Sequence, residues 1–139
     1  MRQFSTTIEI RASRERVLAV LCDVERWPQW TSTTTSVLRM DSGPFAVGSK
    51  ARVLQPKLRP AIWTVTELDE KSFTWVTRQP GVQITAGHMV ETEGDRCRVT
   101  LSIEYSGLLS AVAARLYGGL TQQYIETEAR GLRDRCEAG

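Results

Sequence analysis

The stretch LLSAVAARLYGGLTQQYIETEARGLRDRC, residues 108–136, decides the reading of the fold. Leu109, Ala113, Leu116, Leu120, Tyr124 and Thr127 recur in it at three- and four-residue intervals, with Leu132 further on. Val112, Tyr117 and Ala129 widen the stripe. An apolar row at that spacing is one face of an α-helix. At 1.5 Å per residue the helix is about 40 Å long. Almost everything before it reads as strand, so it has no helix of similar length to pack on. A long helix with one apolar face, closing a chain of strands, must lie across a sheet.

The strands are read from alternation. Phe4, Thr6, Ile8 and Ile10 form the first. Ser13 is an N-cap for a short helix through Val17, Leu18, Val20 and Leu21. A second helical turn follows, with Asp23 as its cap and Pro28 at its end. Thr33–Met40 and Lys50–Gln55 are extended, the latter with Ala51, Val53 and Gln55 on one face. The prolines of Pro56-Lys57-Leu58-Arg59-Pro60 interrupt the ladder, which predicts a bulge or turn near a sheet edge. Lys57 and Arg59 there read as a solvated loop or as contacts for an anionic group or another protein. Ala61–Leu68, the strand of Phe73, Trp75 and Thr77, Val82–Glu93, and the row Cys97, Val99, Leu101, Ile103, Tyr105 complete the set. Hairpin-length links make the sheet antiparallel. The expected class is α+β in one domain, residues 1–139: a curved seven-stranded antiparallel sheet around the last helix, with two short helices after the first strand.

Composition narrows the function. The chain is 41% hydrophobic and 24% charged, an ordinary globular balance. Lys+Arg 18 against Asp+Glu 16 is too even, and too evenly scattered, to argue for nucleic acid. Cys22, Cys97 and Cys136 are far apart, and there is one histidine, which predicts reduced thiols and no metal site. There is no apolar leader and no integral membrane segment, so the cytoplasm is the expected compartment. Phosphate loops, zincin spacing and a nucleophile elbow are absent, and no cofactor is expected. The protein is expected to be a monomer or a homodimer.

The residues Asp23-Val24-Glu25-Arg26-Trp27-Pro28-Gln29-Trp30, with Gly48–Val53, Trp63–Leu68 and Phe73-Thr74-Trp75, resemble the START-like (SRPBCC) superfamily, and its polyketide cyclase/dehydrase-like branch in particular. The resemblance covers nearly the whole chain. It implies the helix-grip fold, with a cavity for an apolar ligand between sheet and helix. Its relatives include aromatase/cyclases of polyketide synthesis, lipid carriers and hormone receptors.

Candidate ligand-binding residues follow from strand and helix phase. Trp63, Phe73, Trp75 and Tyr105 supply aromatic surface from the sheet, with Gln55, Thr77 and His88 as polar groups among them. Tyr117, Leu120 and Tyr124 face them from the helix, and Trp30 is placed at the pocket mouth. Trp27 is read as a structural pin. Gly118-Gly119 inside the helix predicts a close approach to the sheet, a kink, or room for ligand. His88 is the candidate catalytic base, though no acid is placed to orient it: Glu91 is of the opposite phase, and Glu104 points away from the Tyr105 face.

The leading expectation is binding of a hydrophobic small molecule, aromatic, polyketide-like or lipid-like. One alternative is a polyketide cyclase or dehydratase, with His88 and a tyrosine moving protons in aldol condensation and water loss. Another is a protein-interaction module, which requires a filled core and an exposed apolar patch.

Overall fold

A computed structural model describes residues 2–138. Strand β1 (Arg2–Ile10) leads into helix α1 (Arg14–Cys22) and a 3-10 helix (Val24–Gln29). Six strands follow: β2 (Ser36–Arg39), β3 (Lys50–Leu54), β4 (Ala61–Leu68), β5 (Ser72–Gln79), β6 (Val82–Glu93) and β7 (Arg96–Ser106). Helix α2 (Ser110–Glu137) closes the chain. The seven strands form one antiparallel sheet in the order β1-β7-β6-β5-β4-β3-β2. This is the expected α+β helix-grip architecture.

The local causes are visible in the sequence. Ser13 caps α1, its Oγ accepting from the Arg16 N–H at 3.1 Å. Asp69 closes the β4–β5 turn by accepting from the N–H groups of Lys71 and Ser72, each at 2.9 Å. Those bonds, with that from Lys71 foremost, hold its carboxyl below the usual range. A bulge between Val65 and Glu67 shifts the β4–β5 register and adds to the sheet's bend. At Gly107, φ is +104°, and a Cβ would stand 2.8 Å from the Gly81 carbonyl oxygen. Only glycine lets β7 turn there into α2 against the β5–β6 turn.

The core lies between the concave face and the helices. Ile10, Val17, Leu21, Phe73, Val90, Val99 and Leu132 are fully buried in it, each contributing about 1.5–3 kcal/mol of transfer free energy. Cys22, Cys97 and Cys136 are free thiols. Burial pushes Cys22 and Cys136 up to about 11.

Three expectations need correction. Thr33–Thr35 are not strand, because β2 begins at Ser36. Thr31 and Thr33 are buried and bond to each other (Oγ1–Oγ1 2.8 Å), and the Thr33 N–H also donates to Thr31 Oγ1. Such local bonds offer the backbone an alternative to the ladder. Asp23 makes no side-chain cap, and its carboxylate instead pairs with Arg26 at 3.3 Å. The buried line of α2 is also displaced. It runs through Gly118, Ile125, Glu128, Ala129, Leu132 and Cys136. Leu109, Val112, Leu116 and Tyr117 are exposed.

Candidate functional site

Two spaces lie beneath α2. The larger is a cavity of about 570 Å³ between the β3–β4 loop, strands β4–β7 and the first half of the helix. Trp63, Thr77 and Tyr105 form its buried end. Lys57, Arg59, Gln79 and Tyr117, all exposed, form its mouth. Leu58, Ala61, Val82, Ile84 and Ala113 complete the apolar wall, and Gln55 and Thr77 present an amide and a hydroxyl. The lining holds two cations and no carboxylate. The smaller space, about 50 Å³, lies deeper and is lined by Trp27, Trp75, Ala86, His88, Ile125 and Glu128 among others. Gln55 and Trp63 line both spaces and so stand between them.

The inner chamber contains a buried acid–base pair. His88 and Glu128 are 5% and 8% exposed. His88 Nδ1 lies 2.8 Å from the Phe73 carbonyl oxygen. A carbonyl only accepts, so Nδ1 carries a proton. The ring stacks on Phe73 (centroids 4.6 Å, planes at 9°), and the edge of Trp27 closes a further side. Nε2 then faces Glu128 Oε1 at 3.7 Å. With one further proton between them the pair is neutral overall, the least costly form in a buried site. The arrangement can hold or pass a proton at Nε2, but the chamber in front of it, about 50 Å³, has room for a few waters and not for a drug-sized ligand.

Removing one partner of such a pair leaves the other uncompensated. His88→Ala is expected to cost about 3 kcal/mol in urea unfolding, and Glu128→Gln only about 1 kcal/mol. Both are expected to leave uptake of apolar probes by the larger cavity intact. Loss of uptake in a folded His88→Ala protein would contradict the separation of the two spaces.

The candidate residues sort accordingly. Gln55, Trp63, Thr77, Tyr105 and Tyr117 line the large cavity. Trp75 and His88 line the inner chamber and not the large cavity. Phe73 lies behind His88, fully buried and in neither space. Trp30 is not at the mouth but packs on Trp27, ring centroids 5.6 Å apart, and beneath Gly131 of α2. Leu120 is half-buried and lines neither space. Tyr124 ties the helix to the β3–β4 loop by donating to the Pro56 carbonyl. The Tyr105 hydroxyl is engaged by Thr121 at 2.7 Å, and burial is the main cause raising its pKa. Trp27 acts as a pin, its Nε1 donating to the Leu21 carbonyl at 2.9 Å. The glycine pair in α2 adds no room for ligand. Gly118 meets the Phe4 ring, which a Cβ would approach to 2.9 Å, and Gly119 faces open space.

Glu128 was not among the candidates. Its signal is spacing: it lies three residues after Ile125 and four before Leu132, on the buried line of the helix. Leu58 is a second addition, turned into the cavity by a loop in which Lys57 has φ +69°.

Comparisons with known proteins agree with this architecture. A START superfamily protein from Mycobacterium smegmatis is similar, with a TM-score of 0.81 at 17% identity over 98% of this chain and 97% of that one. The Zhui aromatase/cyclase from Streptomyces sp. R1128 has a TM-score of 0.79 at 15% identity over 98% and 93%. A protein of Thermus thermophilus has 0.78 at 18% over 99% and 98%. At these identities the likeness is one of fold. The comparison with curated proteins found no match. Among the described residues no helix is long and apolar enough to cross a membrane. The family model for polyketide cyclase/dehydrase and lipid transport matches residues 1–137, and its members support a role in hydrophobic ligand binding or polyketide cyclisation. The chain belongs to that polyketide cyclase/dehydrase and lipid transport family.

Proposed function

We propose that the protein binds an apolar small molecule, aromatic or lipid-like, in the large cavity. The observation that carries this is the cavity itself, about 570 Å³ and mainly apolar, within the size range of small-molecule sites. Burial against Trp63, Ile84, Val82 and Leu58 supplies affinity, and Gln55 and Thr77 orient a polar group of the ligand. The three unbridged thiols support a reducing compartment such as the cytoplasm for this role. Native mass spectrometry of freshly purified protein, with fluorescence titration of a hydrophobic dye, tests the reading. A co-purifying apolar mass or saturable one-to-one uptake is expected. A protein that carries nothing and takes up no probe refutes it.

The buried His88–Glu128 pair favours a second reading, a cyclase or dehydratase with His88 as general base. It requires Trp63 and Gln55 to yield so that the C–H next to a substrate carbonyl reaches Nε2. Unchanged turnover of a genuine substrate by His88→Ala would exclude it.

A further inference from the structure

The start of α2 leaves an apolar surface uncovered at the cavity mouth. Leu108 is 97% exposed, Leu116 71%, Val112 55% and Leu109 50%. Val112 and Leu116 follow each other at four-residue spacing on α2, and with Leu108 in the turn just before the helix they form one exposed apolar surface. Ala113 and Tyr117, on the adjoining face, line the cavity. The same helical segment therefore presents one face to the ligand space and another, apolar, to the outside. An uncovered apolar patch of this kind marks an interaction surface.

Charge identifies what fits it. The cavity is lined from three segments, residues 55–63, 77–84 and 105–117. They contain Lys57, Arg59, Arg78 and Arg115 and no Asp or Glu. The rest of the chain holds 14 Lys+Arg against 16 Asp+Glu, so the positive excess lies wholly at this end. None of the four cations pairs with a carboxylate among the described residues. A second copy docking face to face would set these cations against their own equivalents.

We propose that this face docks on an anionic lipid bilayer. The Leu108–Leu116 surface enters the interfacial layer, Lys57, Arg59, Arg78 and Arg115 meet acidic headgroups, and the cavity mouth opens toward the lipid. The purpose of the docking, exchange of an apolar ligand with the bilayer, rests on the binding function proposed above. The docking itself does not.

The test is co-sedimentation of the full chain, without added ligand, with phosphatidylcholine vesicles and with vesicles in which about a third of the lipid is phosphatidylglycerol. Binding to the anionic vesicles is expected to exceed binding to the neutral ones by about tenfold or more, and to fall with added salt. Leu116→Ser is expected to weaken binding about tenfold and Arg115→Gln about fivefold. Leu38→Ser, which removes an exposed leucine elsewhere, is expected to have no effect. Leu116 and Arg115 do not line the cavity, so dye uptake in solution stays unchanged in both variants. Equal partition onto both vesicles, no partition onto either, or normal partition of folded Leu116→Ser overturns the proposal. So does a dimer in light scattering that Leu116→Ser converts to monomer while vesicle binding is absent, since the face then belongs to a second copy. Dye uptake without vesicle binding, or the reverse, tells which of the two proposals has failed.

Discussion

Gly131→Ala is expected to destabilise the protein by about 3 kcal/mol or more, although alanine is the better helix former by up to about 1 kcal/mol. At this point α2 crosses the segment that leaves the 3-10 helix. A Cβ on residue 131 would fall inside contact distance of the Trp30 carbonyl oxygen, with the carbonyl carbon 3.1 Å and the ring Cε3 3.4 Å away. The obstacle is backbone and cannot rotate aside. The Trp30 and Thr31 N–H groups both donate to the Trp27 carbonyl at 3.0 Å, and the Trp30 ring leans on Trp27. Relief requires the helix to lift, which pulls Glu128, Leu132 and Cys136 from their buried positions. Overpacking of that kind outweighs a gain in helix propensity. Gly119→Ala is the matched comparison, since a Cβ there meets nothing within 4 Å. It is expected to stabilise by up to about 1 kcal/mol. Urea unfolding of the two variants should therefore move in opposite directions. A Gly131→Ala protein as stable as the parent would show that α2 is not clamped on Trp30.

Residues such as these mark what was legible in the sequence and what was not. The strands from β3 to β7 were readable because alternation reports burial directly: Ala51, Val53, Trp63, Val65, Phe73, Trp75, Cys97, Val99 and Leu101 are all buried as their phase demands. The glycine and proline turns between them set the antiparallel order. Thr31–Thr35 misled because β-branched residues favour strands only where no better partner for the backbone exists. Here the threonine hydroxyls supply one. The phase of α2 misled for a different reason. Its leucines concentrate in the first half, and periodicity cannot tell an apolar face packed on a core from one left uncovered beside a cavity. Leu109 and Leu116 fit the pattern and are exposed, whereas Glu128 breaks it and is buried. A carboxylate on the inward line is noticed only once His88 is seen to need a partner. The division of the interior into two spaces was beyond the sequence, because it depends on how the Trp63 and Gln55 side chains stand.

Filling the large cavity is the decisive test of what that interior is for. Ala113→Trp is expected to weaken uptake of an apolar probe by about 100-fold or more, equivalent to roughly 3 kcal/mol of lost binding. Ala113 sits on the cavity side of α2, in a wall that also holds Ile84, Tyr105 and Tyr117. An indole there occupies the volume in which the probe would be buried. It removes no hydrogen bond, and α2 tolerates a large side chain where the space beneath is empty. Stability is expected to hold or to rise by about 1 kcal/mol, as for other cavity-filling changes. Loss of uptake would then owe nothing to unfolding. Leu116→Ser supplies the necessary contrast, because hydrophobic dyes also adhere to uncovered apolar surface. Residues 113 and 116 are one turn apart, yet the first faces the cavity and the second the outside. If the probe is internal, the inward change abolishes its signal and the outward change leaves it untouched. The reverse pattern would move the binding site from the cavity to the exposed row of α2, and with it the function assigned to the interior.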